Sequence, residues 1–433
     1  MESQVMGSLP MQRISKRIYY GWLVVAASGG MEFANAATAI GILTIFVNPF
    51  TEEFGWSRTE ISAVTSVGAI LGASLAPFSG RLVDRIGSRW VLTLGGTLVV
   101  VACVYLASVQ TLLGFYVGYT IARTADQGLI KIGAAPAVGK WFQRYRGRAI
   151  ALVFFSGSAG IMVMAPLVQL AIVAWGWRAA WLLLAAVMAV LGIVPSFALI
   201  RRQPEDYGLV VDGRAGPDAD AVAAPAFDGN EHDQWTLRQV VATPPFWLIL
   251  ISLFLASTAG SGVTLHLVPH LTQQGLSTGQ AVGVISVMST SSAVGILALG
   301  FLAERVPPRL LMACVCLITA TDIGVLILAD NLAEAYLFAF LHGVASGGLN
   351  TLAPILWASY YGRGMLGSMH GLSRASQVAG FALGPLILGI AFDRWGRYQD
   401  ALAYLAVLAV ISFVLVVAAK RPRGAGSGVA SHT

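Results

Sequence analysis

Gly80-Arg81-Leu82-Val83-Asp84-Arg85-Ile86-Gly87-Ser88-Arg89 returns 220 residues later as Gly300-Phe301-Leu302-Ala303-Glu304-Arg305, with Arg309 in the place of Arg89. The offset is kept elsewhere. Pro49 falls on Pro269, Gly55-Trp56-Ser57 on Gly275-Leu276-Ser277, Gly147 on Gly367 and Trp175-Gly176 on Trp395-Gly396, while Pro166 falls on Pro385 at an offset of 219. Landmarks held at one period over this length mark a duplicated unit. Both copies of the opening stretch are short, basic and glycine-containing, carry one acid, and lie between long apolar runs.

Those runs set the fold class. Of the 433 residues 56% are hydrophobic and 11% charged, where a soluble domain carries about 25% charged residues. Runs long enough to span a bilayer lie at roughly 20–47, 57–80, 90–109, 111–139, 148–174 and 178–200, then at 243–271, 279–302, 309–329, 332–360, 366–391 and 399–420. The expected architecture is an all-α integral membrane protein. It has twelve transmembrane helices in two pseudo-symmetric six-helix halves, 20–200 and 243–420. A tail (1–19), a linker (201–242, polar and partly disordered) and a second tail (421–433) complete the chain. The first run is too long for a cleaved signal peptide. With the N-terminus inside, twenty Lys/Arg residues fall on the cytoplasmic side and four outside, so both termini are expected in the cytoplasm and the protein in the plasma (inner) membrane. The net charge of +6 is scattered in short clusters, which fits topology and gives no nucleic-acid signal. Cys103, Cys314 and Cys316 sit in apolar runs and are expected as buried small hydrophobes, and no disulfide framework or metal spacing is present.

Charges inside the spans are the exception to this pattern. Tyr119-Thr-Ile-Ala-Arg123-Thr-Ala-Asp126-Gln127-Gly-Leu-Ile-Lys131 crosses the middle of the fourth run. Ionisable groups at that depth are costly and mark pathways or binding sites. On an ideal helix Arg123, Asp126, Gln127 and Lys131 lie within about 140° of one another. Glu32, Asp322 and Arg374 complete the intramembrane set, whose formal charge sums to zero. Arg123 and Asp126 either neutralise each other as an i,i+3 pair or form a gate. Glu32 is either the counter-ion of Arg123 or Lys131, or a proton site. Asp322 is expected in packing or in an interhelical hydrogen bond. Arg374 either lines the route or reaches back to the cytoplasm, and His266 is a candidate lining residue.

Gly80-x-Leu-x-Asp84-Arg85-x-Gly87-x-Arg89 resembles the signature loop of the major facilitator superfamily, with Glu304-Arg305 as its weaker second copy. Tyr20-Gly21-Trp22, Phe54-Gly-Trp-Ser-Arg58, Trp141-Phe142 with Arg146-Gly147, His266-Leu-Val-Pro269 and Gly362-Arg363…Gly367 look like the bacterial monocarboxylate and oxalate–formate antiporter branch. That resemblance implies a secondary transporter of a small organic anion, monocarboxylate-like, by proton symport or anion exchange through alternating access. It also implies a cavity lined by the first, fourth, seventh and tenth spans. The branch commonly places a cation in the eighth span, and none stands there before Glu304. The expected substrate contacts are Arg123, Arg374, His342, Asn35, Gln127 and Asn350, with His342 the repeat counterpart of Arg123. The expected charge-pair or proton positions are Glu32, Asp126, Lys131 and His266. The expected gate residues are Gly80, Asp84, Arg85, Gly87, Arg89, Glu304 and Arg305.

Two other functions stay open at this level: a proton-coupled multidrug or cation exporter using Glu32 and Asp126, and a membrane sensor that has lost transport. No nucleophile–base pattern or metal cluster suggests an enzyme, and no cofactor or metal is expected. The expected partners are an organic anion, protons and the lipid bilayer, and the expected state is a monomer.

Overall fold

Spans this apolar satisfy their backbone hydrogen bonds internally, which in lipid means helix. In the computed structural model, residues 19–213 and 235–422 are described, except 274, 277 and 396–398. The tail expectations for 1–18 and 423–433, the linker expectation for 214–234 and the His266 side chain lie outside the described residues. Among those described, every regular element is helical. The chain divides into two compact units, Met1–Ala226 and Phe227–Thr433.

In the first unit the elements are α1 (Gly21–Ala34), a 3-10 turn (Asn35–Thr38), α2 (Ile40–Phe54), α3 (Arg58–Ile86) and α4 (Ser88–Leu106). They continue with α5 (Leu112–Ala125), a π-helical turn (Asp126–Ile130), α6 (Lys131–Gly139), α7 (Arg146–Trp175), α8 (Trp177–Val187), a second π turn (Met188–Ile193) and α9 (Val194–Leu199). The second unit holds α10 (Leu237–Val241), α11 (Pro244–Gln273), α12 (Thr278–Leu302), α13 (Pro308–Leu328), α14 (Leu332–Tyr361), α15 (Leu366–Trp395) and α16 (Gln399–Ala418).

Local chemistry sets the ends. Ser57 caps α3 in a reciprocal box with Glu60, Ser57 N donating to the carboxylate at 2.8 Å and Glu60 N donating to Ser57 Oγ at 3.2 Å. Thr111 caps α5 and Asn331 caps α14 through their side-chain oxygens. Gly87 separates α3 from α4 at φ 89°, a conformation that side-chain-bearing residues rarely adopt.

The repeat reappears as packing. Within the first unit α1 lies on α7, α3 on α5, and α4 on α8. Within the second, α11 lies on α15, α12 on α14, and α13 on α16. Span one packs on five, two on four and three on six in each. Leu113, Met162, Val173 and Leu328 are 72–77% exposed. So many bare apolar residues suit a lipid-facing surface and would be a liability in water. Cys103 and Cys316 are buried as expected, while Cys314 is exposed.

Ten helices among the described residues are long and apolar enough to cross a membrane. The sequence's fourth and eleventh runs are also helical, over Leu112–Gly139 and Leu366–Trp395. These two carry Arg123, Asp126, Lys131 and Arg374.

Candidate functional site

In the first unit the polar residues converge where two helices lose regularity. The first span changes from α to 3-10 at Asn35 and becomes extended at Ala39, ψ 138°. A break of this kind removes i→i−4 partners and leaves carbonyls to be satisfied by side chains. The Thr38 carbonyl accepts from Arg123 Nη1 at 2.9 Å and from the Tyr119 hydroxyl at 3.1 Å. Opposite it, the fourth span opens into the π turn that begins at Asp126. Single π turns inside α-helices recur at functional sites.

Asp126 is the hub. Its Oδ1 accepts from Asn35 Nδ2 at 2.6 Å, and its Oδ2 accepts from Arg123 Nη1 at 2.9 Å and Gln127 Nε2 at 2.6 Å. The carboxylate side chain is 1% exposed and the Arg123 side chain 14%. One turn further, the Lys131 ammonium forms a salt bridge with the fully buried Glu32. Each cation in this span is thus matched by an anion, which lets the four charges sit at depth. Gly68 and Gly72 of α3 make room for the polar face. A Cβ on them would lie 2.5 Å from Arg123 Cβ and 2.6 Å from Gln127 Cβ, respectively.

From the sequence Asn35 and Gln127 belong to the substrate, and in this structure each amide donates to Asp126. Glu32 finds its counter-ion in Lys131, one of the two cations that the sequence offered it. Tyr119 and the Thr38 carbonyl were missed. The only sequence signal was a polar Asn and Thr, three apart, inside the first apolar run.

The second unit holds two groups. Arg374 of α15 is half-buried, and its Nη1 contacts Asn350 Oδ1 and Gln377 Oε1, each at 3.4 Å. Asn350 also donates to the Ser346 carbonyl at 2.9 Å. Separately, His342 of α14 places Nδ1 3.0 Å from Oδ2 of Asp322 on α13, and its Nε2 3.2 Å from Thr264 Oγ1 on α11. Asp322 therefore makes an interhelical hydrogen bond, and the residue given to substrate by the repeat offset is bound to it.

The first copy of the repeated motif pairs with the end of the fourth span. Asp84 lies 3.4 Å from Lys140 Nζ. Burial pushes the Lys140 ammonium below its usual pKa, and the Asp84 charge pulls it back up. Arg89 stacks over Phe197 at 4.3 Å and Trp90 at 5.2 Å. A Cβ on Gly87 would stand 3.3 Å from Arg202 Cβ. Gly80 is buried and Arg85 exposed; in the second copy Glu304 is half-buried and Arg305 exposed. Beyond α9 the chain returns to the same face. Asp212, at φ 59°, accepts from the backbone N–H of Gln143 and Arg144 at 3.2 and 2.8 Å, and its own N–H donates to the Trp141 carbonyl at 3.2 Å.

Two helical units with lipid-facing apolar surfaces and matched charges inside their spans define a multi-pass membrane protein. The chain belongs to the Major Facilitator Superfamily, whose sequence profile matches residues 24–331. It is 27% identical over 400 residues to "Monocarboxylate transporter 11" of Mus musculus, covering 88% of this chain and 83% of that protein. It is 24% identical over 244 residues to "Oxalate:formate antiporter" of Oxalobacter formigenes, covering 56% of this chain and 53% of that one. Among solved structures, the transporter FucP in its outward conformation superposes with a TM-score of 0.71 at 12% identity, covering 92% of this chain and 99% of FucP. The human organic anion transporter MFSD10 superposes at 0.67 with 16% identity, covering 94% and 99%. At these identities the structural likeness speaks for the fold alone.

Proposed function

We propose that the chain is a secondary transporter of a small monocarboxylate, working by alternating access with proton symport or anion exchange, in the plasma membrane with both termini cytoplasmic. The names of its relatives, monocarboxylate transporters and an oxalate:formate antiporter, support the substrate class. The observation that carries it is Arg374, a half-buried guanidinium eight residues inside a helix of a membrane-spanning unit. Two of its contacts, to the neutral amide oxygens of Asn350 and Gln377, are long at 3.4 Å. Exchange of those acceptors for a carboxylate gains a charge-assisted, bidentate pair. Within the first unit, Arg123 is the candidate cation in this reading. An arriving carboxylate competes with Asp126 for it, and the first-unit network opens at the Thr38 break. The cation-exporter alternative loses support, because both acids it would use, Glu32 and Asp126, are already matched by Lys131 and Arg123.

Uptake of radiolabelled L-lactate by proteoliposomes tests the reading. Arg374→Ala should abolish uptake, and Arg374→Lys should keep a small part of it because it restores charge without the planar fork. If Arg374→Ala and the paired Arg123→Met/Asp126→Asn variant both transport at the wild-type rate, the anion site lies elsewhere.

A further inference from the structure

The His342–Asp322 pair lies apart from the anion site, and its hydrogen bonds fix how many protons it holds. Thr264 Oγ1 makes two contacts, to the Gly260 carbonyl at 3.0 Å and to His342 Nε2 at 3.2 Å. A hydroxyl has one proton, and a carbonyl can only accept it. The Thr264 proton therefore belongs to Gly260, and Nε2 must carry its own proton and donate to Oγ1. The opposite ring nitrogen, Nδ1, is 3.0 Å from Asp322 Oδ2. That contact also needs a proton, held either by Nδ1 or by the carboxyl group. In both arrangements the pair holds two exchangeable protons and has no net charge.

Removal of one proton leaves a different object. Neutral His342 then donates from Nδ1 to an ionised Asp322, Nε2 is bare, and Thr264 must turn its hydroxyl from Gly260 to Nε2. The pair now bears one negative charge at a wholly buried carboxylate. Asp322 is enclosed by α13, α14 and α16, and among the described residues no side chain donates to its Oδ1.

Few other charges compete. Between Thr278 and Leu302, α12 has no titratable residue, and α16 brings only Asp400 at its first turn and the outward Tyr404, 71% exposed. The remaining titratable groups of α13 are Arg309, Cys314 and Cys316, and those of α14 are Glu334, Tyr336, Tyr360 and Tyr361. On α15 they are His370, Arg374, Asp393 and Arg394, and on α11 His266 and His270. The path outward from the carboxylate runs through His342, which is buried, to Thr264, which is exposed.

We infer that Asp322, His342 and Thr264 form a proton-binding site, loaded as a neutral pair and unloaded through the exposed Thr264 hydroxyl. A neutral pair can be sealed from water at little cost, whereas a lone buried carboxylate opposes sealing. Transport that seals the site then carries a proton with each cycle. This inference rests on the transport reading above, and it decides in favour of proton symport.

Two measurements test it. In proteoliposomes, Asp322→Asn and His342→Gln should lose L-lactate accumulation driven by an inward proton gradient while retaining lactate–lactate exchange. Asp322→Asn is nearly isosteric, and retained exchange shows that the variant is folded. In detergent, potentiometric titration of the purified protein between about pH 5 and 8, where a histidine changes charge, should count one proton fewer per chain in each variant than in wild type. The titration needs no substrate, so absence of lactate transport by the wild type would overturn the substrate class and leave the proton count to decide the site. Wild-type proton counts in both variants, or proton-driven accumulation retained by Asp322→Asn, would overturn the inference.

Discussion

Replacing Arg123 by methionine leaves the Asp126 carboxylate buried with two amide donors and no neighbouring guanidinium. Removal of one partner from a buried ion pair costs about 3–5 kcal/mol. The Arg123 side chain is only 14% exposed, so water screens little of this. Asn35 and Gln127 still donate to the carboxylate, and Tyr119 still serves the Thr38 carbonyl. These place the cost at the lower end, about 3 kcal/mol. Adding Asp126→Asn removes the stranded charge while its amide oxygen keeps an acceptor for the neighbouring amides. The double variant should recover about 2 kcal/mol of that loss, within the range found for directly coupled residues. Thermal melting of the four purified proteins in one detergent measures the cycle. The expected order is wild type highest, the double variant next and Arg123→Met lowest. A wild-type melting temperature for Arg123→Met, or additive losses in the double variant, would refute a closed charge network.

Other outcomes follow from neighbouring geometry. Gly68→Val drives a Cβ into Arg123 Cβ, which stays close to its own backbone and has little room to yield; it should destabilise by about 1–3 kcal/mol and slow uptake. Gly41→Ala, whose Cβ would meet Ile161 at an ordinary 3.9 Å, should melt with wild type. Lys140 supplies a pH dependence. Its folded pKa lies below 10.5, so the folded chain binds fewer protons than the unfolded one in the window just beneath that value. Its contribution to stability is present above 10.5 and is lost as pH falls through the lowered pKa. The melting temperature of wild type relative to Lys140→Met should therefore rise on going from about pH 8 to about pH 10.5; an unchanged difference would mean that Lys140 is not desolvated.

The repeat and the apolar runs made the helical units legible, because lipid leaves a chain with few alternatives. The positions of the buried charges were legible for the same reason, since each one violates an otherwise apolar pattern. Their partners were harder to read. Periodicity places Arg123, Asp126 and Lys131 on one face of an ideal helix but cannot foresee a π turn at Asp126 or a 3-10 break at Asn35. Those two irregularities decide that Asp126 meets Asn35. The repeat offset set His342 against Arg123, whereas the short connection between α13 and α14, residues 329–331, was the better guide. It makes the two helices antiparallel neighbours and brings Asp322 within reach of His342. Lys140 was counted only as one cytoplasmic cation among twenty, since charge bias along a sequence carries no information about pairing with Asp84.

Asp212 bears on where the chain can be divided. Its carboxylate and its backbone N–H hold residues 141–145 from a position beyond the last span of the first unit, and Arg201 and Arg202 reach the same face. A first-half fragment ended at residue 200 would discard that clamp and expose the amides of Gln143 and Arg144. Ended after Gly213, it keeps every one of these contacts. Split-gene pairs, fusion partners and protease sites belong in the 214–234 interval, where a cut spares all of them.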